Sequence, residues 1–240
     1  MVNNDLPAGT GEDPFAEALA LASPRSGDRV LDLSGRAGLI ALKVASVASV
    51  VEAMQPDDEL AEEGRRLAQT MNTSNVFFHA GPLHRLPFDS GQLDLVIWCL
   101  GLAQQPRPLG TMAEIARVLS PGGRLVVQEI MAFGHPPLDL KIWELERRRN
   151  PGHFLYYTEE EVEGMLSLTK FQVSEKIQGR MTQDFAYWAD GGNMAPEEAE
   201  QMRQTFFTLP PADQDRIDLA LSDGRISFVY PVLTVLAIPA

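Results

Sequence analysis

The run Val30-Leu31-Asp32-Leu33-Ser34-Gly35-Arg36-Ala37-Gly38, with the apolar stretch 39–51 behind it, limits what this chain can fold into more than any other segment. A β-branched and leucine run ending in an acid, then small residues, then a helical pattern, predicts strand, tight turn and helix. Such a unit opens a nucleotide-binding α/β layer. Glycines in the turn permit positive φ and close ligand approach, and the helix start offers free N–H groups. Two of the turn positions are Ser34 and Arg36, so the side chains placed there bear directly on what the turn can hold.

The same rhythm continues downstream. Asp13-Pro14-Phe15 opens a helical run to residue 23, expected as a lid over the sheet edge. Strands are predicted at 29–33, 49–54, 75–79, 93–99 and 124–131, separated by helices at 38–47, 57–71 and 106–119. Alternation of this kind gives a parallel sheet covered on both faces, with ligands beyond the strand C-termini. After residue 133 the pattern changes to helices at 136–149 and 157–168, a sixth strand at 171–177, a helical stretch at 183–221 and a last strand at 226–238. Pro231 in that last strand argues for a bulge or an edge position, because proline cannot donate to a ladder. One domain over 1–240 is expected, with 13–132 as the cofactor-type half and 133–240 as a helical cap on the acceptor side.

A net charge of −13 opposes binding to nucleic acid. The one basic knot, Arg147-Arg148-Arg149, reads as a solvated helix end before the breaker Asn150-Pro151-Gly152. Residues 1–14 lack a targeting pattern and no run approaches the roughly 18 apolar residues of a membrane span, so a cytoplasmic protein without membrane contact is expected. Cys99 is the sole cysteine and reads as a small buried hydrophobe, and the four histidines fall on separate elements, so no metal site is expected.

Several stretches together resemble the class I S-adenosylmethionine-dependent methyltransferases, in the group similar to the ubiquinone/menaquinone-pathway C-methyltransferases. They are Val30-Leu31-Asp32, Leu86-Pro87-Phe88, Leu93-Asp94-Leu95-Val96, Ala116 to Leu125 with its Leu-Ser-Pro-Gly-Gly turn, and Ile226 to Pro231. The resemblance implies an α/β, Rossmann-like seven-stranded mostly parallel sheet with an antiparallel last strand and helices on both faces. It also implies S-adenosylmethionine as cofactor, met by Asp32, Ser34, Gly35, Arg36, Gly38, Gln55 and Leu83.

These positions depart from the family pattern, acid-x-Gly-x-Gly-x-Gly after the first strand. Asp32 and Gly38 match, while Ser34 and Arg36 replace two glycines. The family's ribose-binding acid falls on Gln55, with Glu52 nearby, and losing a charge-assisted hydrogen bond there costs roughly 1.5–3 kcal/mol. The family's Gly-Asp-Ala becomes Gly81-Pro82-Leu83, leaving the Leu83 N–H to meet the adenine. Together the changes imply binding weakened on the order of a hundredfold or more, or lost. Arg36 is expected to point into the cleft, against Asp32, Glu52 or a bound anion.

For function, the resemblance implies methyl transfer to a small hydrophobic acceptor, held by Tyr156, Tyr157, Phe185 and Tyr187. Two other readings stay open: a non-catalytic relative serving as a protein partner, homodimer or small-molecule binder, and a different chemistry in the same cleft. No catalytic residue is named by the sequence. In methyl transfer the sulfonium supplies the driving force and the protein mainly aligns donor and acceptor.

Overall fold

The computed structural model describes residues 13–190 and 194–240. Residues 1–12, covered by the reading of a missing targeting pattern, and 191–193, within the stretch read as helical, lie outside the described residues.

After α1 (Ala16–Ala22), the chain alternates β1 (Arg29–Asp32), α2 (Leu39–Val44), β2 (Val50–Gln55), α3 (Asp58–Thr70), β3 (Val76–Ala80), β4 (Leu93–Cys99), α4 (Pro108–Val118) and β5 (Leu119–Ile130). Asp57 caps α3, accepting from the Leu60 N–H at 2.9 Å, with Asp58 and Glu59 at its positive end. α5 (Pro136–Arg149) and α6 (Glu159–Leu168) follow, the latter started by a Thr158/Glu161 capping box. The chain closes with β6 (Phe171–Asp184), α7 (Phe185–Asp190), α8 (Pro196–Phe207), α9 (Pro211–Arg216), β7 (Ala220–Ser222) and β8 (Arg225–Pro239).

The strands form one sheet in the order β3-β2-β1-β4-β5-β8-β6. β1 to β5 are parallel, and β8 runs antiparallel to both β5 and β6. The expected sheet of seven strands gains an eighth, because β7 turns back on β8 as a short hairpin. Every residue of β4 except Asp94 is buried because both faces are covered. Leu95, Ile97 and Cys99 enter the core under α1 and α2, and Val96 and Trp98 the core under α4 and α6.

Four expectations are corrected. α1 lies across β4, β5 and β8 rather than over the sheet edge. It is pinned there by Arg124, which donates to the carbonyls of Ala22 and Ser23 and pairs with Asp28 at 2.7 Å. The first-layer helix is shorter than 38–47, because residues 36–38 form a separate 3-10 turn. β6 runs to Asp184, not Ile177: Gln178-Gly179-Arg180 has little strand propensity and is extended because β8 offers it a ladder. Residues 183–221 are accordingly not helical throughout, with 183–184 and 220–222 in strands.

Pro231 sits in an interior strand, yet where β5 has ended. Regular β5–β8 pairing stops at Ile130↔Val232 and β7 pairs only up to Ser227, so the proline falls in the gap between them. Beyond that gap a third core packs Phe185, Trp188, Phe206, Phe228 and Tyr230 against α5.

Candidate functional site

Strand order reverses between β1 and β4, and the crevice beyond their C-termini holds the first of two adjoining cavities. Its volume is about 460 Å³, and its walls come from Leu33 to Arg36, the end of β2 and Pro56, residues 81–84, and Leu100 to Pro106. The turn that shapes it holds four consecutive residues at positive φ: Gly35 (+70°), Arg36 (+54°), Ala37 (+50°) and Gly38 (+74°). Gly35 has ψ −134°, a conformation open only to glycine, whereas Arg36 and Ala37 each bear roughly 1–2 kcal/mol of left-handed strain. Ser34 needs no such freedom, and its hydroxyl accepts from the Cys99 N–H at 2.9 Å, tying the turn to β4. At Gly38 packing adds to conformation: a Cβ would stand 2.4 Å from the Phe78 ring.

Asp32 is fully buried and accepts from the N–H groups of Ser34 (2.8 Å) and Ala41 (2.9 Å), so it shapes the turn and the start of α2. Burial pushes its carboxyl up to about 6. Gln55 lies at the end of β2, fully buried. Its amide donates toward the Gly35 carbonyl at 3.5 Å, and its Oε1 has no hydrogen-bond partner among the described residues. Glu52 is corrected as the alternative acid: it keeps regular register with Leu31 and is taken by His79 at 2.7 Å and Arg29 at 3.6 Å. Leu83 stands on the cleft wall beside Pro82 and His84.

Arg36 lines this cleft and also a second cavity of about 90 Å³, together with Leu100 and Gln104. Asp32 and Glu52, expected to meet it, are engaged as described above. The guanidinium stands 5.8 Å from the Phe15 ring centroid, and burial, with Arg149 nearby, holds it below its ordinary value.

The second cavity is built from side chains that are distant in sequence. Glu146 and Arg149 of α5 pair with each other, reversing the reading of Arg149 as part of a solvated knot: its side chain is 20% exposed and its guanidinium stands 5.2 Å from the Trp188 ring centroid. Glu146 also accepts from Trp188 Nε1 at 3.0 Å and from the Tyr230 hydroxyl at 3.4 Å, which in turn accepts from Tyr156 at 3.4 Å. Glu129 of β5 accepts from the N–H groups of Leu102, Ala103 and Ile130, and burial pushes it up to about 7. His153 is 6% exposed and lies against Tyr156, with ring centroids 4.5 Å apart, and burial pulls its pKa down. Its loop is fixed by the Phe154 N–H on Ala103 O (2.8 Å) and Trp143 Nε1 on Phe154 O (2.7 Å).

Of the four expected acceptor residues, Tyr156 and Tyr187 line this cavity. Tyr157 and Phe185 are corrected: Tyr157 is buried in the core under α4 and α6, and Phe185 in the aromatic cluster with Trp188 and Phe206. Glu129, Glu146, Arg149 and Tyr230 were not found by sequence reasoning. The one available signal was Glu-x-x-Arg at helical spacing followed by a histidine. Cys99 is fully buried and its thiol is raised well above its ordinary value by burial. Among the described residues no group of three or more His, Cys, Asp or Glu could hold a metal ion, and no helix is long and apolar enough to cross a membrane.

Residues 31–127 match the family model described as "Methyltransferase domain". A ubiquinone/menaquinone biosynthesis C-methyltransferase of Ectopseudomonas mendocina is 34% identical over 124 residues, 50% of this chain and 48% of that protein. The chain spans about half the length of the curated relatives it matches first. A solved structure of a candidate methyltransferase from Bacillus halodurans superposes with a TM-score of 0.85 at 21% identity, covering 93% of this chain and 97% of that one. Another, the geranyl diphosphate C-methyltransferase of Streptomyces coelicolor with Mg2+, geranyl diphosphate and S-adenosyl-L-homocysteine, has a TM-score of 0.62 at 17% identity, covering 94% and 79%. The fold is therefore the Rossmann-like methyltransferase fold.

Proposed function

We propose that the chain binds S-adenosylmethionine in the cleft beside β1 and transfers its methyl group to a small-molecule acceptor in the adjoining cavity. The observation that carries this reading is that the two cavities share Arg36, Leu100 and Gln104, so that a donor in one and an acceptor in the other would meet at that border. The residues fit the cofactor. Nothing stands within 4 Å of where a Gly35 Cβ would be, which leaves the backbone open to close approach. The orphaned Gln55 Oε1 is a buried acceptor at the end of β2, and Leu83 stands on the cleft wall. When bound, S-adenosylmethionine supplies an electrophilic methyl group. The chain supplies alignment and water exclusion, with Leu33, Met54 and Leu60 as an apolar floor. The acceptor's body would lie against Tyr156, Tyr187, Trp188 and Tyr230, which gives it an apolar side. A cytosolic setting belongs to the same proposal, supported by the acidic, single-cysteine composition.

Binding should be weak, because Gln55 carries no charge and the Arg36 side chain shares the cleft. Calorimetry with S-adenosylhomocysteine tests this, with an expected dissociation constant above about 1 µM. A sub-micromolar value would show that these substitutions cost little. Arg36→Gly combined with Gln55→Asp should tighten binding on the order of a hundredfold. The position of the Arg36 side chain also favours a second reading, a scaffold that binds a partner or small molecule without methyl transfer. Absence of binding in both the natural chain and the double variant would select that reading.

A further inference from the structure

The second cavity has an uneven supply of hydrogen-bond donors and acceptors. Both carboxylates on its wall are committed: Glu129 accepts from three backbone N–H groups, and Glu146 accepts from Arg149, Trp188 and Tyr230. Two nitrogens on the same wall are buried without a hydrogen-bond partner among the described residues, Arg149 Nε and His153 Nε2. The first is a donor always, the second in the tautomer protonated at that atom. A second guanidinium, Arg36, adds positive potential where the cavity opens to the cleft. With an apolar occupant both buried nitrogens would stay unsatisfied, whereas an occupant with two oxygens on one carbon offers an acceptor to each.

We propose that this cavity recognises a carboxylate, so that the acceptor is a small organic acid whose acid group is held by Arg149 and His153 and drawn in by Arg36, with its body against Tyr156 and Trp188. The proposal rests on the reading of this cavity as the acceptor's side, and it replaces a purely hydrophobic acceptor with an anionic one. Arg149 and His153 are then positioning residues, and the acid's own nucleophilic atom faces the border at Leu100 and Gln104.

Benzoate and benzamide, nearly equal in shape and different in charge, are the probes, titrated by calorimetry into the full chain. Benzoate should bind at least tenfold more tightly than benzamide. Arg149→Lys, which keeps a cation beside Glu146 but removes Nε, should weaken benzoate at least fivefold while S-adenosylhomocysteine affinity stays within twofold. Equal binding of the two probes, or an Arg149→Lys chain that folds and binds benzoate unchanged, overturns the proposal. If thermal melting shows that Arg149→Lys does not fold, the benzoate-to-benzamide ratio in the natural chain decides alone. Selective benzoate binding without any S-adenosylhomocysteine binding supports the carboxylate site and counts against methyl transfer. S-adenosylhomocysteine binding without benzoate selectivity does the reverse.

Discussion

The cleft beside β1 and the cavity behind Arg149 share three wall residues but are built by different means. The outline of the cleft is set by backbone: a turn at positive φ, strand ends, and a loop whose Gly81 donates to the Gln55 carbonyl at 3.1 Å. The cavity is made of side chains, with α5, α7 and β8 joined through Glu146. A site defined by backbone keeps its shape when side chains change, so Ser34, Arg36, Gln55 and Pro82 alter its chemistry more than its outline. A site defined by interlocked side chains has no such reserve.

The largest expected effect follows from that contrast. Glu146→Ala would strip the partner from Arg149, Trp188 Nε1 and the Tyr230 hydroxyl at once, and should lower stability by about 3–5 kcal/mol in urea denaturation. A loss below about 1 kcal/mol would break the comparison, because the cavity would then tolerate change as the cleft does.

Next comes Glu129, whose folded carboxyl sits near 7 while its unfolded value is near 4.5. Between those values the folded chain keeps a proton that the unfolded chain releases, so this group's contribution is fully present below about pH 4.5 and is lost as pH rises through about 7. Glu129→Gln removes that dependence. The variant should therefore lose less stability than the natural chain between pH 4.5 and 8, by up to about 3 kcal/mol, in urea midpoints measured at both pH values.

A smaller effect sharpens the cleft side. A Cβ at Gly64 would lie 2.2 Å from the Phe78 ring that also packs on Gly38, so Gly64→Ala should cost about 1–3 kcal/mol and disturb the turn behind the cleft. Phe78→Leu in the same chain should recover part of that loss, and a double-mutant cycle by thermal melting measures how much.

The strand, turn and helix at 29–44 were legible because local pattern and tertiary role agree there: alternate residues of β1 and β4 feed opposite cores, and the acid at Asp32 finds its partners within nine residues. The far half of β6 was not legible, since only pairing with β8 holds it extended. Nor was the cavity. Glu146 and Arg149 at helical spacing look alike whether solvated or buried, and it took the turn after α5 and the far strands to enclose them. Tyr157 and Phe185 illustrate the same limit, for an aromatic cluster after a break announces burial without saying against which core.

The gap in β8 around Pro231 has one further consequence. Strand residues two apart present their backbone groups to the same side, and on the side that β5 vacates these belong to Val229 and Pro231. The Val229 N–H donates to the Ile217 carbonyl at 2.7 Å, the Pro231 carbonyl accepts from Met131 at 2.9 Å, and proline has no N–H to offer. An interruption that elsewhere would invite a strand from another molecule therefore presents no donor, and this stretch of β8 is guarded against intermolecular pairing.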